Sequence, residues 1–285
     1  AKMYAVNGNF DDCQNLVKKF FSEHKDLNIS SANSINIARL APQVVYYFYS
    51  YIKLLRNNEI KENELVNFVV PTGNFGNIFA GFYAKMMGLP INDLVCASNK
   101  NNVLTDYFNT NTYNKNREFY KTNSPSMDIV ISSNFERFLY YALNEDTNKL
   151  ALKMNELKEN GKYSFNNPFD FFYGYSTDEN ETLNIIKNVF DKYNYAIDPH
   201  TSVAYGAYLK YKKEVNNDYK TIILSTASPF KFPETVLQAL GYSSDNALES
   251  LSKVINKDIP SVLNYPEIKR EVFDLDSIEN KIVEV

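Results

Sequence analysis

The stretch NFVVPTGNFGNIFAGFYAKMMG, residues 67–88, decides the fold class. The whole chain has nine glycines in 285 residues, and Gly73, Gly76, Gly81 and Gly88 all fall in this window. NFVVPT is an apolar run too short for a helix and bounded by a glycine turn, so it reads as a buried strand. NIFAGFYAKMM follows as a helix, with Gly88 as its C-cap and Pro90 just beyond. INDLVCASN is a second buried strand. Strand, loop, helix, strand is a βαβ unit, which implies an α/β fold with a mostly parallel sheet flanked by helices.

Between strand and helix lies PTGNFGN. Gly73 and Gly76 permit a tight turn and let a ligand approach the backbone closely. The helix start offers unpaired N–H groups and the positive end of the helix dipole. Asn74 and Asn77 add side-chain donors, and a phosphate is the natural guest. No Lys-Ser or Lys-Thr follows the second glycine, so this is not a Walker loop, nor is it a G-x-G-x-x-G fingerprint. On spacing alone, a plain strand-to-helix turn with no ligand fits equally well.

Composition narrows the class. Hydrophobic residues are 44% and charged residues 22% of the chain, as in ordinary globular proteins. The net charge of -4 argues against a nucleic-acid partner, which calls for a basic face. The most apolar run, LAPQVVYYFYSYIKLL, carries Pro and Gln and is too short and interrupted to span a membrane. Two cysteines, Cys13 and Cys96, make neither a disulfide framework nor a zinc site. With no signal peptide visible, a cytoplasmic location is expected.

Around this unit the chain alternates strands and helices. KMYAVNG reads as a strand and FDDCQNLVKKFFSEH as a helix whose buried face is Leu16, Val17, Phe20 and Phe21, with Asp11 and Asp12 in its first turn. A start on a core strand suggests that a segment precedes it. Residues 34–55 read as one long apolar helix that Pro42 kinks or starts. SSNFERFLYYALN is a helix capped by Ser132 or Ser133, DPHT caps another, and YKTIILSTAS is a last buried strand. Residues 145–194 look helical and polar, as an insertion outside the sheet would. Cys13 reads as a buried thiol and His24 as a surface residue.

Several stretches together resemble one family. VVPTGNFGNIFAGFYAKMMGLPI is similar to the cofactor-phosphate loop of threonine synthases, which are pyridoxal-phosphate (PLP) enzymes of fold type II. NGNFDDCQNLVK, SANSINIARLAPQVVYYF, LVCASNKNNVLTDYFNT, SPSMDIVISSNFERFL, DPHTSVAYGAY and STASPFKFPETV match the same family in order. The resemblance implies conversion of O-phospho-L-homoserine and water to L-threonine and phosphate. It implies that Gly73, Asn74, Phe75, Gly76 and Asn77 bind the PLP phosphate and that Thr226 approaches the pyridine nitrogen. Ser31, Asn33, Ser34, Asn36 and Arg39 would face substrate or cofactor; a plain N-cap for Ser34 and a surface ion pair for Arg39 are the rival readings. His200 reads as structural before catalytic. Residues 1–33 would be the end of a small domain and 34–285 a large PLP-binding domain.

The family also needs a lysine that bonds the cofactor's aldehyde, in a motif well upstream of the phosphate loop. Lys231, in SPFKFPE, lies in the C-terminal motif and does not correspond to it. No catalytic residue is therefore assigned. The expectation is an inactive C-terminal part of a threonine synthase that lacks its N-terminal part, in a monomer or homodimer. The competing readings are a PLP-dependent phospho-lyase for a related phosphorylated amino acid, and a non-catalytic phosphate- or PLP-binding remnant.

Overall fold

The computed structural model describes residues 4–8, 10–27, 30, 34–263 and 271–283. In chain order it runs through β1 (Tyr4–Val6), α1 (Phe10–Glu23), α2 (Ile37–Leu40), α3 (Val44–Arg56), β2 (Val66–Pro71), α4 (Gly76–Met86), β3 (Ile91–Ser98), α5 (Val103–Thr110) and β4 (Thr112–Asn114). Next come α6 (Phe135–Ala142), α7 (Thr147–Asn160), β5 (Lys162–Ser164), β6 (Phe172–Ser176), α8 (Glu179–Tyr193), α9 (Pro199–Glu214) and β7 (Lys220–Ile223). The chain closes with α10 (Pro233–Ala239), α11 (Ala247–Ile255), β8 (Glu271–Phe273) and α12 (Leu275–Val283). None of the helices is long and apolar enough to cross a membrane among these residues.

The central sheet has the order β6-β3-β2-β7, and every pair in it is parallel. Val69 sits beside Val95 on one side and Ile223 on the other, which fixes the register of the three strands. Side chains alternate across the pleat. Phe68, Val70, Leu94 and Cys96 join α3 and α4 in one core, whereas Val69, Val95 and Ala97 pack against Val203, Ala204 and Ala207 of α9. Both faces are covered, so β2 is buried from end to end and reads as a continuous apolar run.

Several expectations change here. The helix at 34–55 is broken into α2, a 3-10 turn at Ala41–Gln43 and α3, because Pro42 sits at the start of that turn and has no N–H to continue a ladder. The strand expected in YKTIILSTAS, β7, is half-exposed rather than buried, since it pairs with β2 alone among the described residues. The stretch around 145–194 is not a pure helical insertion: its β6 is a strand of the sheet, and Phe169, Phe171 and Phe172 pack into the main core. Residues 271–283 leave the main sheet altogether. β8 pairs in parallel with β1, and Ile278 of α12 is buried there, so the C-terminal segment joins the N-terminal piece. On α1, Phe20 is buried and Leu16, Val17 and Phe21 are half-buried. Cys13 is half-buried, not buried, and His24 is half-buried against the Phe20 ring.

Candidate functional site

The loop after β2 is held by what its side chains do elsewhere. Phe75 adopts a left-handed backbone, φ 61°, and it alone turns the chain in this loop; neither Gly73 nor Gly76 has a positive φ. A left-handed non-glycine residue costs about 1–2 kcal/mol. Phe75 is 1% exposed, packed among Phe79, Phe108, Phe135, Phe138 and Phe172. Burial of such a ring is worth about 1.5–3 kcal/mol, which offsets the strain. Its side chain therefore anchors the loop from below, and only its backbone faces a ligand.

The glycines serve close approach instead. A Cβ on Gly73 would lie 2.5 Å from the Ser126 carbonyl oxygen, and one on Gly76 would meet Asn134 Nδ2 at 3.4 Å and Ser34 Cβ at 3.7 Å. The loop is walled by backbone and by short polar side chains. Ser132 Oγ donates to the Gly73 carbonyl at 2.9 Å, and Ser133 Oγ donates to Asn74 Oδ1 at 3.3 Å. The Asn74 carbonyl accepts from Asn134 N at 3.1 Å and from Asn134 Nδ2 at 2.8 Å. The serines expected to cap α6 thus serve the loop, and the N-cap position falls to Asn134, which makes no side-chain cap bond. The sequence signal for this buttress is the polar triplet Ser132, Ser133 and Asn134 ahead of an apolar helix.

With its carbonyls bound from outside, the loop keeps its donors. Among the described residues, none of the amides from Gly73 to Ile78 donates to a protein acceptor, while Thr72 N and Phe79 N on either side do. Six adjacent unpaired N–H groups at the start of an eleven-residue helix are the donors that an anion seat requires. Asn77 is fixed beside them. The Tyr47 hydroxyl donates to the Asn77 carbonyl at 2.8 Å and lies 3.0 Å from its Oδ1, leaving Nδ2 unpartnered. Tyr47 gets that close because Gly81 has no side chain: a Cβ there would be 2.6 Å from the ring.

Asn77, Thr226 and Arg39 line one cavity of about 780 Å³, together with Ser225, Gln43 and Leu224. Thr226 is exposed at its rim, and its hydroxyl has no protein partner among the described residues. Asn36 departs from expectation. Its Oδ1 accepts from Ala38 N at 3.0 Å and its Nδ2 donates to Ser30 Oγ at 3.3 Å, so it is the N-cap of α2 and its side chain is used within its own segment. Ser34 is not that cap; it flanks Gly76. Ser31 and Asn33 lie outside the described residues.

The remaining candidates are structural. His200 Nδ1 bonds Asp198 Oδ1 at 3.2 Å, and its Nε2 accepts from Ser126 N at 3.2 Å. That pattern assigns a neutral ring which pins the Ser126 wall of the loop to α9. Asp128, two residues further on, ties the same wall to the segments after β3, accepting from Asn99, Asn101 and Thr122. Burial pushes the Cys96 thiol up to about 12, which makes it inert. Lys231 is exposed, with its ammonium over the Phe232 ring, and no lysine among the described residues lines the cavity.

Residues 201–268 match the family model described as threonine synthase, C-terminal. Threonine synthase of Schizosaccharomyces pombe is 39% identical over 269 residues, covering 84% of this chain and 52% of that protein. Threonine synthase of Saccharomyces cerevisiae is 38% identical over 268 residues, covering 86% and 51%. The crystal structure of PLP-bound threonine synthase from Brucella melitensis superposes with a TM-score of 0.79 at 34% identity, covering 100% of this chain and 59% of that one. By sequence and by fold the chain belongs to the threonine synthase family, and it spans about half the length of the curated relatives it matches.

Proposed function

We propose that this chain is the cofactor-phosphate half of a cytoplasmic threonine synthase, which converts O-phospho-L-homoserine and water to L-threonine and phosphate. The observation that carries the reading is the run of unpaired amides from Gly73 to Ile78, in a chain whose relatives include a PLP-bound threonine synthase. The amides of Gly73, Asn74, Phe75, Gly76 and Asn77 donate to the phosphate of pyridoxal 5'-phosphate, and Asn77 Nδ2 adds a side-chain donor. Thr226 presents a neutral hydroxyl to the ring nitrogen. Ser34 stands beside Gly76 on the substrate side, with Ser31 and Asn33 ahead of it, and Arg39 offers a planar cation to an anionic group in the cavity. When bound, the cofactor supplies an electron sink for loss of the substrate's phosphate.

The described residues fit the phosphate end of that group and place no lysine in the cavity for its aldehyde end. The lysine belongs to the remainder of the protein, so this chain alone is inactive. The remainder also has a place to sit. Val45, Tyr46, Tyr49 and Ile52 are exposed apolar residues of α3, and Tyr46 and Tyr49 line the same cavity as Ile222 and Ile223 of β7. An unpaired apolar edge beside such residues calls for a covering chain.

Two measurements test the reading. Pyridoxamine 5'-phosphate, which needs no lysine bond, binds the 285-residue chain and is lost in Gly73→Val. Pyridoxal 5'-phosphate leaves no borohydride-reducible adduct on a specific lysine, and O-phosphohomoserine releases no phosphate. Turnover by the chain alone, or a specific lysine adduct, sinks the division of labour; no binding at all sinks the phosphate seat.

A further inference from the structure

Arg137 belongs to none of the groups assigned so far, yet it joins two of them. Its Nη2 donates to the Ile35 carbonyl at 2.6 Å, across a gap of 102 residues. Its Nη1 donates to Asn134 Oδ1. Asn134 is fully buried, and its other side-chain atom, Nδ2, holds the Asn74 carbonyl at 2.8 Å. Gly76 lies between the two groups so joined, since its missing Cβ would meet both Asn134 and Ser34, the neighbour of Ile35.

A guanidinium can serve two acceptors at once because its donors are fixed in a planar fork. Here one acceptor is backbone of the Ser34–Asn36 segment, and the other is the amide oxygen that orients Asn134. With Asn134 Oδ1 fixed on Arg137, its Nδ2 can only point at the loop. The Asn74 carbonyl is then held from outside and cannot turn back to pair with a helix amide, which leaves the anion donors free. We propose that Arg137 is a positioning residue: it sets the substrate-side segment Ser34–Asn36 and the anion loop Asn74–Gly76 at a fixed distance, through Ile35 and Asn134. The inference rests on the reading of the loop as a phosphate seat, but its geometry does not depend on it.

The test uses Arg137→Met, which removes both bonds, and Arg137→Lys, which keeps the charge but not the fork. Each is titrated with pyridoxamine 5'-phosphate, and hydrogen exchange is followed at Ala38 and Arg39, whose amides bond Asn36. Both variants should bind roughly 5- to 30-fold more weakly, the effect of one or two charge-assisted bonds. Exchange at Ala38 and Arg39 should rise while β2 and β3 stay protected. Unchanged exchange in Arg137→Met overturns the inference. So does full recovery by Arg137→Lys, because charge alone would then suffice, and so does a rise spread through the sheet, which would mark a role in the fold at large. If the unaltered chain binds no pyridoxamine phosphate, the phosphate-seat reading fails, and the exchange comparison decides on Arg137 by itself.

Discussion

The two ends of the central sheet are both polar, and they differ in how that polarity is satisfied. At the N-terminal ends of the strands a closed chain of side chains runs across the sheet. Asn92 donates to Asn67 at 3.0 Å, Asn67 to Asn217 at 3.0 Å and to Thr221 at 3.2 Å, Asn217 to Tyr211 at 2.7 Å, and Tyr211 to Asp93 at 2.5 Å. At the C-terminal end of β2 six amides and Asn77 Nδ2 have no protein partner among the described residues. Buried polar groups are normally paired, so unpaired ones mark where a ligand is expected. In parallel α/β sheets that place is outside the carboxyl ends of the strands. Polarity alone would nominate both ends; unsatisfied polarity nominates one.

The largest effect should come from the anchor beneath the open end. Phe75→Ala removes a ring buried among five other phenylalanines and should cost about 3–5 kcal/mol of unfolding free energy in a denaturant titration. A loss below about 1 kcal/mol would mean that the loop is held by its polar wall and not by the core. Next is the closed end. Asn67→Ala strips partners from Asn92, Asn217 and Thr221 and should cost about 1–3 kcal/mol, with no change in affinity for pyridoxamine 5'-phosphate. Asn77→Ala at the open end should do the reverse. Tyr47 keeps the Asn77 carbonyl, so stability should move by less than about 1 kcal/mol, while affinity falls by roughly 3- to 10-fold. If both variants altered stability and affinity alike, the contrast between the ends would collapse.

The same contrast explains what could be read from the residues alone. The parallel sheet followed from NFVVPT, the helix after it and INDLVCAS, because a buried parallel strand is a continuous apolar run and its crossover helix is local. The turn between β2 and α4 followed from its glycines, and the family from the ordered motifs around it. Three kinds of feature were not local and stayed hidden. Phe75 looked like a ligand residue, and only the assembled core shows that its ring faces inward. Ser132 and Ser133 looked like caps, because a cap is the near partner and Gly73, some 60 residues earlier, is the far one. The pairing of β1 with β8 joins the two ends of the chain, and nothing in either three-residue strand announces the other.

The smallest prediction concerns pH at the closed end. Burial holds the Asp93 carboxyl above its usual range, and the hydrogen bond from Tyr211 and the Lys85 ammonium oppose that only in part. Burial raises the Tyr211 hydroxyl strongly, so it stays protonated and donates throughout. In the unfolded chain Asp93 ionises near the ordinary value of about 3.9. The folded state keeps the proton to higher pH and therefore binds more protons across that window. Stability contributed by Asp93 is thus present below the unfolded pKa and falls as pH rises through the folded one. Asp93→Asn still accepts from Tyr211 and never ionises, so it should remove this fall. The stability of the native chain relative to the Asn variant, measured by urea unfolding from about pH 4 to 7, should decline as pH rises and then level off. A rise over that range would mean that Lys85 and Tyr211 outweigh burial, and that the closed end is an ion-pair network and not a saturated neutral one.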